Sequence, residues 1–440
     1  MTNLSPKNQN SSGLNNKFLI FVWTLFDFAN TSFSIVVVTF LYAVYFKKVI
    51  SSDLPAGDLY WSWAVSISML ITAVISPILG AIADFSAGKK RFLLVFTLIC
   101  IISTANLYFL GEGDILSGVI LFILANIGFE AGLVFYDSFL PELTTPKNYG
   151  RVSGYGFGMG YLGSLATLAI AFPFIQNNLI RETFPLAAVF FLIFSIPLFV
   201  FLKDDRKPVE TRNSFLSIGF SRVWQTMKHL RHYKNLALFL LAYFFFIEGV
   251  NTVIFFSGNY ASTTLQFEMS ELILFFLIVQ STAILGSVFF GILADSVGQK
   301  KTIIISLVIW LGTILLAYYT SDPENITIKL ISGWFGKTSL ESEKLVFYLI
   351  GLLAGSVMGA TQSTSRSLMS SLVPNDKKTE FFGFFSFFGK SSAIIGPLVF
   401  GFVSFLSGNQ RAAILSIGLF FVVGLFILLK VKEETAADVI

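Results

Sequence analysis

Apolar runs separated by short polar breaks fill nearly the whole chain, and their length sets the first constraint on structure. A helix rises 1.5 Å per residue, so roughly 20 apolar residues cross about 30 Å of hydrocarbon. Runs of about that size lie near residues 20–46, 60–84, 91–110, 115–140, 151–173 and 183–202. The pattern breaks at a polar, basic stretch, 203–234, then resumes near 235–258, 270–295, 301–320, 345–371, 380–405 and 409–430. Hydrocarbon offers no partner to a free backbone group, so each run must be helical. The pattern predicts an all-α membrane protein of twelve transmembrane helices in two six-helix bundles, residues 1–202 and 235–440, joined by a linker over 203–234.

The polar breaks set orientation, because Lys and Arg are enriched on the cytoplasmic side. With the N-terminus inside, 21 of the 30 basic residues fall in cytoplasmic segments and seven outside, while Arg366 and Lys390 lie within spans. Both termini are expected to be cytoplasmic. The polar start "MTNLSPKNQNSSGLNNK" is not a signal peptide, since the apolar run after it is too long and lacks a small-residue cleavage site. Within the linker, Phe215, Ile218, Val223, Trp224, Met227 and Leu230 recur at near-helical spacing among basic residues. That spacing predicts an amphipathic helix lying on the cytoplasmic membrane face.

Composition narrows the function class. Hydrophobic residues make up 55% of the chain and charged residues 13%, about half the charge of soluble domains, so a lipid bilayer is the expected partner and nucleic acid is not. The single cysteine, Cys100, cannot build a disulfide or thiolate metal site, and both histidines, His229 and His232, fall in the linker. Gly158-Met-Gly160-Tyr-Leu-Gly163 satisfies G-x-G-x-x-G without a preceding strand or a following acidic residue, so its glycines read as close helix packing. There is no Walker motif, metal-ligand cluster or soluble domain. No cofactor and no enzyme activity are expected, and any work must draw on an ion gradient or on the solute itself.

Charges inside the spans are the candidate chemistry. One at the centre of a membrane helix costs about 3 kcal/mol on insertion scales, so it faces a bundle interior or wet cavity and has a partner. Lys390 lies about 15 Å along its helix, too deep to snorkel. It is read as a substrate or coupling residue, with a structural ion pair as the plain alternative. Asp27 and Glu248 occupy corresponding spans, each followed three residues on by an amide, Asn30 and Asn251. Residues i and i+3 share a helix face, so each pair is read as binding a ligand ammonium or holding a proton, or else as interhelical glue. Asp27 and Glu248 are the expected partners of Lys390, either neutralising it directly or leaving its counter-ion to arrive with the substrate. Glu130 is a candidate proton carrier, and Gln362 is expected to face the cavity with Ser363. Asp137 and Arg366, nearer the cytoplasm, are expected to join Asp84, Asp295, Lys89 and Lys300 in a charge network that holds the inward side shut.

The halves repeat. "GAIADFSAGKKRF" after the second span and "GILADSVGQKKTI" after the eighth share the glycine, the aspartate, a second glycine and a basic cluster. These loops resemble the signature loop of the major facilitator superfamily, although the first has three residues rather than two between Asp84 and Gly88. Together "WTLFDFANTSF", "FYDSFLPEL", "SGYGFGMGYLGS", "QSTSRSL" and "GKSSAIIGPLVFG" resemble its vacuole-effluxer-like branch, the fungal autophagy-related vacuolar amino-acid effluxers and their bacterial relatives. The resemblance implies a monomeric alternating-access transporter of a small solute, an amino acid or similar zwitterion, with proton coupling as a further expectation. Such repeats place the solute between the bundles at the midplane. Export of an anionic or apolar molecule is the alternative within transport, and a non-transporting receptor or assembly factor the alternative outside it. A bacterial inner membrane is the expected location.

Overall fold

The computed structural model describes residues 9–432, apart from positions 53, 55, 87, 205–214, 229–231, 321–324, 337, 394 and 409. The start of the polar N-terminal segment, much of the linker and His229 therefore lie outside the described residues. The first bundle comprises α1 (Gln9–Phe33), α2 (Gly57–Ser86), α3 (Lys89–Asn106), α4 (Ile115–Asp137), α5 (Tyr149–Gln176) and α6 (Thr183–Phe201). After α7 (Phe215–Lys228) in the linker, the second contains α8 (Lys234–Thr263), α9 (Met269–Val297), α10 (Gln299–Thr320), α11 (Ser339–Leu372), α12 (Lys378–Ser392), α13 (Ile395–Ser407) and α14 (Gln410–Leu429). The chain of the first span continues past α1 through wide, π-helical turns at Ser34–Phe40 and Phe46–Ile50.

Among the described residues, 11 helical segments are long and apolar enough to cross a membrane. The eleventh span departs from expectation. The run expected as one helix over 380–405 is two, α12 and α13, divided after Ser392. Gly396 and Pro397 follow the break, and a proline in the first turn of a helix lacks only an N–H that would have no intrahelical partner there. Each bundle has its own core. Trp23, Phe26 and Tyr136 are central to the first, and Phe246, Trp310 and Phe421 to the second.

At the face that carries the linker, the bundles meet backbone to backbone. A Cβ added to Gly80 or Gly383 would collide with the main chain of Thr379 or Ser76, so α2 and α12 approach as closely as glycine permits. Gly150 and Gly154 of α5 meet Gly291 and Ser287 of α9 in the same way. Small residues allow such contact where lipid supplies no hydrophobic drive. The amphipathic α7 does not rest on lipid alone. Gly219 packs on Ile78 and Ile82 of α2. Thr226 donates to the buried Glu380 of α12 and accepts from Lys377 at 2.8 Å, so these bonds together with the Gly219 contact join the linker to both bundles.

Candidate functional site

Between the bundles lies a cavity of about 760 Å³, lined by α1, α4 and α5 of the first bundle and by α8, α9, α11 and α12 of the second, with Trp310 of α10. Its wall runs from Asp137, Arg366 and Phe382 out to Thr39, Phe40 and Ile273, all at the end away from the linker. The half nearer the linker is packed and the opposite half is hollow.

Arg366 forms the floor. Only 2% of its side chain is exposed, and α11 carries it out of its own bundle into the other. Nη1 donates to Asp137 at 2.9 Å and to Asp27 at 3.3 Å, while Nε and Nη2 bond the hydroxyl and carbonyl of Ser153 at 2.9 Å each. The guanidinium plane lies over Trp23 and Phe157 at 4.8 and 4.3 Å from their centroids. A planar fork of donors that also stacks on rings suits this position as an ammonium would not. Tyr136 adds a hydroxyl bond of 2.7 Å to Asp27 and stacks on Trp23. Gly156 leaves the room for Arg366 to reach Asp27.

Lys390, on the cavity wall, is 25% exposed and pairs with Glu130 of α4, which is 7% exposed and lies behind it. The expectation that Asp27 or Glu248 neutralises this lysine is therefore corrected. Asp27 is held by Arg366 and Tyr136. Glu248 is fully buried, outside the cavity lining, and accepts from the backbone N–H of Gly396 and from Thr252. The physical reason is the break in the eleventh span. A helix that starts inside a membrane protein leaves N–H groups without intrahelical partners, and the Glu248 carboxylate answers one of them. Its amide neighbour Asn251 faces the cavity, as do Asn30, Asp27 and Gln362. Gln362 accepts from Tyr161 of the opposite bundle at 2.7 Å.

The signature-loop aspartates bond across the bundle boundary, to backbone donors. Asp84 accepts from the N–H of Glu380 in the first turn of α12 at 2.8 Å. Asp295 accepts from the N–H groups of Gly150 and Arg151 in the first turn of α5 at 2.7 and 3.1 Å, and from Arg151 Nε at 2.6 Å. Neither helix has a side-chain cap from its own N-cap residue, so each bundle caps a helix of the other, with the charge at the favourable dipole end. Lys89 bonds Glu142 at 2.8 Å and lies over Phe139, and Lys300 donates to the carbonyl of Leu429. These contacts tie both lysines to their own bundles.

Trp23, Tyr136, Ser153, Gly156, Phe157 and Tyr161 were not singled out from the sequence as site residues. All lie within the five segments that carried the family resemblance, and those segments converge on this cavity and its floor. Two pseudo-symmetric helical bundles around a shared cavity form the fold of a major facilitator superfamily transporter. The proton:xylose symporter XylE has the same fold, with a TM-score of 0.71 at 14% identity over 98% of this chain and 99% of that one. Residues 60–438 match the family described as "Vacuole effluxer Atg22 like", and the chain belongs to that family. The MFS-type transporter YxiO of Bacillus subtilis is 33% identical over 431 residues, 95% of each chain. Autophagy-related protein 22 of Kluyveromyces lactis is 25% identical over 393 residues, 82% of this chain and 77% of that one.

Proposed function

We propose that this transporter moves a small zwitterion, an amino acid, by alternating access, with the linker face cytoplasmic. The observation that carries this reading is the sharing of charge in one cavity. Lys390 offers an ammonium to a carboxylate, and the floor holds two carboxylates, Asp27 and Asp137, against a single guanidinium. The surplus negative charge beside Asn30 is the place for a ligand ammonium, and Lys390 is the place for its carboxylate. A substrate carboxylate at Lys390 competes with Glu130 for the same ammonium, and this competition within one ion pair is what supports the proton-coupled reading. The bonds of Asp84 and Asp295 are those that must break for the linker side to open.

Uptake of radiolabelled L-amino acids into proteoliposomes under an imposed pH gradient tests the reading. Lys390→Ala and Asp27→Asn should each lower uptake at least about tenfold, about 1.4 kcal/mol of lost recognition. Should both variants move amino acids like the parent, the zwitterion site is wrong. If collapsing the pH gradient leaves parental accumulation unchanged, the proton coupling is wrong.

A further inference from the structure

The cavity wall away from Lys390 contains polar groups that the zwitterion site leaves unused. Lys390 belongs to α12, which meets the first bundle through α2, and the other meeting of the bundles is between α5 and α9. Those two helices run antiparallel, with Gly150 against Gly291, Gly154 against Ser287 and Gly158 against Ile284 and Ser287. The same register carried outward brings Gln280 to the level of Tyr161, and Ser164 follows on the same face of α5 about one turn on. Gln280 and Ser164 both line the cavity.

Gln280 is 8% exposed and Ser164 6%, yet neither side chain is hydrogen-bonded to any described residue. Bare hydroxyls also occur at Thr104, Thr364 and Ser365, none of which lines the cavity, so Ser164 alone would carry nothing. Gln280 is different. Of the four amides that line the cavity, Asn30 donates to Asp27, Gln362 is held by Tyr161 and Asn251 is only half-buried. Gln280 is also the single polar side chain that α9 sends into the cavity, next to Phe275, Phe276 and Val279. Its two donors and its carbonyl oxygen lose their water whenever a solute fills this end of the cavity, a cost that only a solute able to bond them removes.

We propose that Gln280, together with Ser164, is a specificity-determining subsite that reads the side chain of the solute and selects an uncharged end group that both donates and accepts, a carboxamide above all. The proposal rests on the zwitterion reading above and adds the side chain to it. Helix α1 packs on α5, where Thr31 donates to the carbonyl of Gly160 at 2.8 Å, so a solute held by Asp27 and Asn30 has the α5 wall beside it. The charged residues of the cavity lining, Asp27, Asp137, Arg366 and Lys390, all belong to other helices, and α5 and α9 add none. A charged end group would meet no counter-ion there, and an apolar one would leave the amide bare. A carboxamide pairs with Gln280 through two reciprocal N–H to oxygen bonds and has capacity left for the Ser164 hydroxyl.

The full-length protein in proteoliposomes is tested with radiolabelled L-glutamine and L-methionine, which match in length and differ in the end of the side chain, with L-glutamate as the charged comparison. At equal low concentration the parent should take up glutamine at least about tenfold faster than either, because a site built to bond a polar group rejects the analogue that lacks it. Gln280→Met should reduce that preference at least about fivefold. Ser164→Ala should reduce it less, and covers the case in which the first variant does not fold. Lys390→Ala should lower glutamine and methionine uptake alike, which separates recognition of the shared carboxylate from recognition of the side chain. Equal uptake of glutamine and methionine by the parent, or an unchanged preference in either folded variant, would overturn the subsite and leave the zwitterion reading standing. A parent that moves no amino acid would sink both.

Discussion

At the scale of single residues, Arg366 is the most demanding position in the molecule. Two carboxylates, a serine, two aromatic faces and the absence of a side chain at residue 156 are all required to hold it. A Cβ at that position would lie 2.5 Å from Arg366 Nη2 and 2.6 Å from Asp27 Oδ2. Gly156→Ala should therefore push the guanidinium off its acids. Breaking a buried ion pair costs about 3–5 kcal/mol, so the variant should unfold at a clearly lower temperature in detergent, and an unchanged midpoint would refute the tight fit. Arg366→Lys should lower the midpoint as well, because one ammonium cannot reach Asp27, Asp137 and Ser153 in a planar fork. The existence of these charges was legible in the sequence, since a few ionisable residues stand out in apolar runs. Their partners were not. Whether Lys390 meets Glu130 or Asp27 depends on how helices rotate about their axes and cross, and spacing within one helix carries no information about that.

At the scale of elements, the repeat was readable and its purpose only half so. The matched loops at Asp84 and Asp295 pointed to a closure at the linker face, which the bundles do share. Their partners are backbone N–H groups at the starts of α12 and α5, and main-chain donors leave no mark in composition. Gly396 and Pro397 lie just past the break between α12 and α13, but that Glu248 would be spent on it was hidden for the same reason. The α2 and α12 contact makes a sharp prediction. A side chain at Gly383 would run into the backbone of Ser76, so Gly383→Leu should hold the helices apart and release the Glu380 amide from Asp84. Hydrogen–deuterium exchange of the first turn of α12 should rise at least about tenfold, because protection tracks the free energy of local opening. An unchanged rate would mean that this contact does not hold the linker face closed.

For the whole molecule, orientation is the property on which every directional statement depends. The charge count favours the cytoplasmic linker face proposed above. In a Cys100→Ala background, Ser221→Cys on the exposed side of α7 should react with a membrane-impermeant thiol reagent only from the cytoplasmic side, and Glu112→Cys between α3 and α4 only from the other. The reverse pattern would invert the assignment. The position of Arg366 also has a consequence for how the protein is made. Its bonds to Asp27 and Asp137 span 339 and 229 positions of sequence, so all six helices of the first half leave the ribosome before their counter-ion is translated. Until then, the two carboxylates have no Arg366 to pair with. A chain truncated before residue 366 therefore lacks the cation that pairs with both Asp27 and Asp137, and the tenth span is the element that supplies it.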